Sequence, residues 1–252
     1  MRVRNYKICR MRGSPEQLRH DEAASFLAAA LTDRPRVLEV GCGRGDVARR
    51  LAEAGFAVTA IDLSLRDAID APGVTYIEQD FLTYEAEPFD AIVFGASLHH
   101  IVPLDRAIAR VTRLLAPAGR LIVDDFDVEA PDVETLRWYY ETQDLLLAAD
   151  LLDRHRVDGS TLQDPETRWR IAHGDHPLHT GAEMRHAISS RFVIRELKRG
   201  EYLYRSIAAG LPADDRGAKI ATTVRATERD RIARGNAVPV GLRIVADRAR
   251  NL

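Results

Sequence analysis

The run Val37-Leu38-Glu39-Val40-Gly41-Cys42-Gly43-Arg44-Gly45-Asp46 restricts this chain more than any other stretch. A short apolar segment carrying one carboxylate meets three glycines at alternate positions. Asp46-Val47-Ala48-Arg49-Arg50-Leu51-Ala52-Glu53-Ala54 follows, apolar at 47, 48, 51 and 52, with Gly55 behind it. The spacing predicts a buried strand, a glycine turn and a helix that glycine stops. Glycine is needed where backbone turns sharply or approaches a ligand closely. The turn is therefore a bare floor against which a cofactor can lie.

The charges on that floor select among cofactors. A dinucleotide turn, G-x-G-x-x-G, ends in a glycine and takes a diphosphate at the helix N-terminus. Asp46 holds the place of that last glycine and Glu39 precedes the first, so two carboxylates repel a diphosphate. The order E-x-G-x-G-x-G resembles the first motif of the class I S-adenosylmethionine-dependent methyltransferases. Their donor carries an ammonium and a sulfonium and no phosphate, which suits acidic neighbours.

Two further stretches are similar to that family. Phe89-Asp90-Ala91-Ile92, running into Leu98-His99-His100, looks like the fourth motif of its small-molecule branch. It lacks the N-P-P-Y type tetrapeptide of many enzymes that methylate amide or base nitrogens. Residues 115–123 fit the phrase L-x-P-x-G-R-L-I-V. The resemblance covers residues 36–126 strongly, 191–247 loosely and 127–190 hardly at all.

The resemblance implies S-adenosyl-L-methionine as cofactor and in-line methyl transfer to an oxygen, nitrogen or carbon of a small molecule. It implies an α/β fold, a doubly wound, seven-stranded, mostly parallel sheet whose last strand is reversed. It puts Glu39, Gly41, Cys42, Gly43, Asp62, Leu63, Asp80, Phe81 and Gly95 at the donor site. Asp80 would accept from the adenine amine, and the next backbone N–H would donate to the ring. An NAD(P)-dependent oxidoreductase and a non-catalytic binder of the same fold are the alternatives.

Of 252 residues, 46% are hydrophobic, enough to bury a sizeable core in a single α/β domain. A formal net charge of −2 gives no support for a dedicated nucleic-acid binder. Two cysteines, Cys9 and Cys42, make no disulfide framework, so a cytoplasmic location is expected. No stretch approaches the roughly 18 apolar residues of a membrane span.

Four segments follow. Residues 1–35 comprise a basic arm, with Tyr6 its best contact to a pocket, and a helix announced by Ser14-Pro15-Glu16-Gln17. Residues 36–126 form the cofactor-binding core. Its second strand, Phe56–Asp62, is continuously apolar, as befits a strand buried on both faces. Asp62 closes it, at the strand end where open α/β sheets bind ligands. Ionised, it can accept both hydroxyls of a ribose. A short helix over Leu65–Asp70, a third strand at Val74–Ile77, a fourth at Pro88–Gly95, a helix from Pro103 to Leu115 and a fifth strand at Arg120–Val123 complete the segment.

Residues 127–190 are too long for a loop and are expected to hang over the sheet as a helical lid, opening with a helix from Val133 to about Arg154. Residues 191–252 return to the sheet, with strands at Phe192–Leu197 and Val238–Ala246. Arg225, Arg229, Arg231 and Arg234 are expected on a solvated helical face.

His99 and His100 fall where a methyl acceptor approaches, and either is a candidate general base. The alternative for each is a structural histidine bonded to backbone, and an amine acceptor held in line needs no base. In the lid, Tyr139, from the Trp138-Tyr139-Tyr140 group, is a candidate substrate contact. His173-Gly174-Asp175-His176-Pro177-Leu178-His179 holds metal-ligand residue types. Gly174 and Pro177 prevent a helix that would bring the rings to one face, so no metal is assigned. His176 and His179 are instead candidates for touching substrate.

Overall fold

A computed structural model describes residues 14–156, 163–174 and 177–248. The N-terminal arm with Tyr6, and His176, lie outside the described residues. Helix α1, Pro15–Ala30, opens with Ser14 Oγ accepting the Gln17 N–H and Gln17 Oε1 accepting the Ser14 N–H, the reciprocal cap its sequence specifies. Next come β1, Arg36–Val40; α2, Asp46–Glu53; β2, Ala57–Asp62; β3, Val74–Glu78; and β4, Phe89–Gly95. After a 3-10 turn at Leu98–His100 stand α3, Leu104–Leu114, and β5, Leu115–Phe126. The chain continues with α4, Val133–Ala148; α5, Pro165–His173; α6, Gly181–Ser189; β6, Phe192–Gly200; α7, Tyr204–Ala208; α8, Asp215–Ala233; and β7, Gly241–Arg248.

The seven strands lie in the order β3-β2-β1-β4-β5-β7-β6. All neighbours from β3 to β5 run parallel, and β7 runs antiparallel between β5 and β6. Parallel strands joined by covering helices must be apolar on both faces, and the alternation here serves two layers. Leu38, Val40, Ile92, Phe94, Leu121 and Val123 face α3 and α6, through Ile108, Val111, Met184 and Ile188. Val37, Val58, Ala91, Val93 and Ile122 face α1 and α2, through Leu27, Leu31, Ala48 and Leu51. The strand order reverses between β1 and β4, and the crevice at such a switch point takes ligands.

Several local expectations change. Leu65–Asp70 forms a turn rather than a helix: Glu78 accepts the Leu65 N–H at 2.7 Å, and Tyr76 Oη donates to the Ile69 carbonyl at 2.9 Å. Six residues before Pro72-Gly73 give a helix too few internal bonds to outweigh its nucleation. β5 is longer than its apolar centre, because Leu115 pairs with Phe89 before residues 117–119 bulge and Arg120 pairs with Ala91. The helix from Val133 ends at Ala148, and Asp150 follows at φ +54. Arg225 is half-buried by its ion pairs to Glu22 and Glu201 and Arg231 lies over the Trp138 ring, while Arg229 and Arg234 stay exposed.

The described helices of residues 127–190 divide between two places. α6 covers the sheet beside α3, while α4 and α5 join α7 and α8 around Phe126, Trp138, Tyr139, Tyr140 and Tyr202. That second cluster stands beyond the carboxyl end of β5, next to the crevice.

Candidate active site

Three cavities meet at Ala96, the residue after β4. The first, about 440 Å³, is lined by Gly41, Asp62, Leu63, Asp80, Phe81 and His100, among others. The second, about 260 Å³, is lined by Glu39, Gly41, Cys42, Gly43, Gly95 and Asp124, with Arg19 and His20 from α1 and Arg205 from α7. The third, about 310 Å³, is lined by His99, His100, Phe126, Trp169, His173, Tyr202 and Ser206, among others. Ala96 borders all three and holds φ +55, a conformation uncommon for a residue with a Cβ. Its N–H is fixed on the Asp124 carbonyl at 2.9 Å.

The glycine turn makes the floor of the first two cavities. Gly41 has φ +74, and a Cβ there would collide with Ser97, whose hydroxyl donates to the Val40 carbonyl. Gly45 caps α2 at φ +78 and has Tyr76 packed where a Cβ would stand. Asp46 occupies the first turn of α2, ringed by Arg44, Arg49, Arg50 and His20, so a carboxylate already answers the helix dipole.

In the first cavity the Asp62 carboxylate accepts the Gly43 N–H at 2.8 Å and the Ser64 N–H at 3.3 Å. Each oxygen retains a lone pair for a ligand. Asp80 is exposed and accepts the Leu82 N–H at 2.8 Å. Phe81 is buried, its ring edge-on to Phe94 at 5.7 Å, so its backbone rather than its ring is free to meet a ligand. Leu63 is 74% exposed at the rim. Asp90, at the start of β4, accepts the Arg36 N–H at 3.0 Å, far from the crevice.

Glu39 is 3% exposed, and its Oε2 has no partner. Burial, with lesser repulsion from Asp46 and Asp62, pushes its carboxyl up to about 8, against a backbone bond from Ala48. Burial beside these acids likewise pushes the Cys42 thiol up to about 12, so Cys42 is no nucleophile near neutrality. His20 is held down to about 4 by burial and then Arg19, so its ring is neutral. Arg205 is buried with its charge intact. Burial opposes that charge, but Asp124, with Nη2 to Oδ2 at 3.0 Å, leads the interactions that raise it above the usual guanidinium value.

The third cavity is walled by rings. Phe126 stacks on Tyr202 at 5.0 Å, and Trp169 lies 3.9 Å from His173, one helical turn along α5. Trp169 donates to the Val128 carbonyl at 2.9 Å. His99 is 4% exposed, with Nδ1 2.7 Å from Oδ1 of Asp125, which is fully buried, in a contact outside hydrogen-bond geometry. The other Asp125 oxygen accepts the His99 N–H at 3.3 Å. The next ring, His100, is exposed.

The wall formed by Tyr202 and Ser206 depends on Glu228 of α8. Its carboxylate accepts the N–H groups of Tyr202, Leu203 and Tyr204 at 2.8 to 3.0 Å, capping α7 from outside the segment. Burial raises that carboxyl.

Among the substrate candidates from the lid, His179 turns its ring to the Ile101 carbonyl at 3.1 Å, and its N–H donates to the His99 carbonyl at 2.9 Å. It fastens the segment behind the cavity, and its neighbour Leu178 reaches the lining instead. Tyr139 is buried behind Trp169 at 6.1 Å and does not line the cavity. Sequence reasoning missed Arg19, Ala96, Asp125, Trp169, Tyr202, Arg205 and Ser206. One signal was available: Trp169 and His173 stand four apart and share a helix face.

A family model for the methyltransferase domain matches residues 14–166. An uncharacterized methyltransferase of Mycobacterium tuberculosis is 40% identical over 99 residues, 36% of this chain and 50% of that protein. A putative methyltransferase of Bacillus subtilis is 31% identical over 118 residues, 42% of this chain and 48% of that protein. The chain thus spans about half the length of these curated relatives. A solved S-adenosylmethionine-dependent methyltransferase from Mesorhizobium loti shares the fold at 21% identity and a TM-score of 0.54, over 91% of this chain and all of that one. With the glycine turn, the strand order and a family match over more than half of its length, this chain belongs to the methyltransferase domain family.

Proposed function

We propose that this chain transfers a methyl group from S-adenosyl-L-methionine to a small-molecule acceptor. The observation that carries the proposal is the meeting of three cavities at Ala96: two over the glycine turn, of the polarity a sulfonium nucleoside requires, and one of different chemistry opening onto the same point.

The residues fit that donor. Glu39 Oε2 is a buried acceptor with no partner, matched to an ammonium. Arg19 and Arg205, lining the same cavity, suit a carboxylate. Asp62 offers a carboxylate to a ribose diol. Asp80 and the Phe81 backbone border the remaining space for adenine, with Leu63 at its rim. Gly41, Gly43 and Gly95 keep the floor free of side chains, and Cys42 contributes only a buried thiol.

When bound, the donor supplies an electrophilic methyl group on a sulfonium. The chain orients the acceptor at Ala96, and the aromatic cluster of α4, α5 and α7 acts as a lid that excludes water from the transfer point. Asp46 at the start of α2 disfavours a nicotinamide dinucleotide by repelling its diphosphate. Among the described residues no helix is long and apolar enough to cross a membrane, and we place the reaction in the reducing cytoplasm, where Cys42 stays a thiol.

Calorimetric titration of the full chain with S-adenosylmethionine and S-adenosylhomocysteine tests the proposal, with NADH as the competing ligand. Both sulfur nucleosides are expected to bind, with Asp62→Ala weakening them and NADH giving no signal. Binding of NADH with no heat from either sulfur nucleoside overturns it.

A further inference from the structure

We infer that Glu228, which lines none of the three cavities, is a positioning residue for the amino-acid end of the donor. It acts through Arg205, by fixing the turn from which that guanidinium is aimed. The inference rests on the methyl-transfer proposal above and adds a remote residue to the donor half of that same site. Three observations carry it.

The first is where the turn lies. Tyr202 and Ser206 line both the second and the third cavity, Arg205 lines the second and Leu203 the third. Four of residues 202–206 therefore border cavities that meet at Ala96.

The second is that this turn cannot hold itself. α7 is five residues long, and so short a helix has too few internal bonds to offset its nucleation. Its N-cap is Leu203, which has no side-chain oxygen to accept the first N–H groups. Helices α1, α4, α5, α6 and α8 each use a Ser, Thr or Asp of their own for that task. Position 203 is not open to such a residue, because Leu203 is 2% exposed and forms part of the third cavity's wall. Glu228 caps from behind instead. Its Oε1 accepts the Tyr202 N–H at 2.8 Å and the Leu203 N–H at 3.0 Å, and its Oε2 accepts the Tyr204 N–H at 2.9 Å. Burial raises this carboxyl and the three N–H groups oppose the rise, so a costly enclosed acid is kept where it sets backbone direction.

The third is what the turn aims. Arg205 follows Tyr204 directly, with Nη2 on Asp124 at 3.0 Å and the guanidinium 4.7 Å over the Tyr202 ring. Its Nε is buried with no partner among the described residues. A buried donor left over beside the second cavity suits an anion, and the carboxylate of the donor's amino-acid end is one. Bonds of this kind weaken steeply with misalignment, so the setting of residues 202–204 decides how well Arg205 meets it.

The fold does not depend on the cap. Arg225, on the same helix as Glu228, reaches Glu22 at 2.6 Å and Glu201 at 3.1 Å. Tyr204, Ile207 and Ala208 share one apolar cluster with Ala221 and Val224 of α8. Losing the cap should shift the turn while α7 and α8 stay docked.

The test uses the full chain and two probes, S-adenosylhomocysteine and 5′-methylthioadenosine. The second keeps the adenosine and the sulfur and lacks the amino-acid end. In calorimetry the wild-type chain should bind S-adenosylhomocysteine the more tightly. Glu228→Gln keeps the size of the side chain and one oxygen, so at least one of the three N–H groups loses its acceptor. Expected is a rise of about tenfold in Kd for S-adenosylhomocysteine, with that for methylthioadenosine unchanged within about twofold. In an Arg205→Ala background the same substitution should add less than about twofold, because the two residues act as one unit.

An equal loss for both probes, or a variant that does not fold by circular dichroism, makes Glu228 a structural cap and overturns the inference. An unchanged Kd for S-adenosylhomocysteine does the same, as do losses that simply add in the double variant. Wild-type binding of S-adenosylhomocysteine no tighter than that of methylthioadenosine also overturns it, since the amino-acid end is then not held. Absence of binding by either sulfur nucleoside in the wild-type chain defeats the underlying donor proposal instead, which keeps the two failures apart.

Discussion

Arg205 lays its guanidinium on the Asp124 carboxylate, 3.0 Å from Nη2 to Oδ2, and so fastens α7 to the carboxyl end of β5. The same guanidinium lies 4.7 Å over the Tyr202 ring. One buried ion pair thereby fixes a wall shared by the second and third cavities. Removing one partner of such a pair strands the other charge in the interior, at about 3–5 kcal/mol. Arg243 Nε also reaches Asp124 at 2.9 Å and limits the damage. Arg205→Ala should therefore cost about 3 kcal/mol in urea unfolding, at the low end of that range. A loss under about 1 kcal/mol would make the contact no better than a surface ion pair.

Asp62 carries a prediction on affinity alone. Its carboxylate accepts the Gly43 N–H at 2.8 Å and borders the first cavity. Deleting a charged acceptor that meets a ligand costs about 1.5–3 kcal/mol, or at least about tenfold in Kd. Calorimetry with S-adenosylhomocysteine on Asp62→Ala measures it. A Kd unchanged within about twofold removes Asp62 from the ribose.

Glu39 makes stability and donor binding depend on pH in a stated direction. Its folded-state value, about 8, lies above its ordinary 4.5, so between those limits the native state holds a proton the unfolded state has lost. Stability from this group therefore falls as pH rises from about 4.5 to about 8, and is level outside that window. Glu39→Gln should flatten that fall in the ligand-free protein. An ammonium placed against Glu39 favours the ionised form, so donor binding near pH 7 should release up to about one proton. Titrations in buffers of different ionisation enthalpy detect it, and equal heats in every buffer count against the assignment.

Gly41 has no room for a methyl group. At φ +74, with Ser97 packed where a Cβ would project, alanine combines backbone strain with a collision. Strain of this kind costs about 1–3 kcal/mol. Displacing Ser97 would also disturb Ala96, the next residue along the chain. Gly41→Ala should melt several degrees lower and bind S-adenosylhomocysteine more weakly. A variant with unchanged melting and affinity would show that the turn has slack the structure does not give it.

The residues proposed for the donor were legible because they belong to the periodic part of the chain. Glu39 and Asp62 lie at the carboxyl ends of β1 and β2, Gly41 and Asp80 just beyond β1 and β3, and a parallel sheet delivers these ends to one edge. The third cavity was not legible to the same depth. Trp169, Tyr202 and Ser206 come from segments separated in sequence by β6, and each looks like ordinary core until the helices are packed. The aromatic group at Trp138-Tyr139-Tyr140 drew attention by its composition, yet α4 turns it into the cluster behind the cavity. His179 went the same way, to a backbone carbonyl.

By itself the sequence determined the layers, the parallel direction of the first five strands and the glycine floor. Those follow from short-range facts: apolar period, the conformational freedom of glycine, and carboxylates at strand ends. Only tertiary structure decided that His99 lies against an acid. Asp125 and His99 are 26 residues apart and meet because β4 and β5 pair in register, Gly95 beside Asp124. A contact set by strand register and helix packing depends on the whole folded core, and no local pattern of residues encodes it.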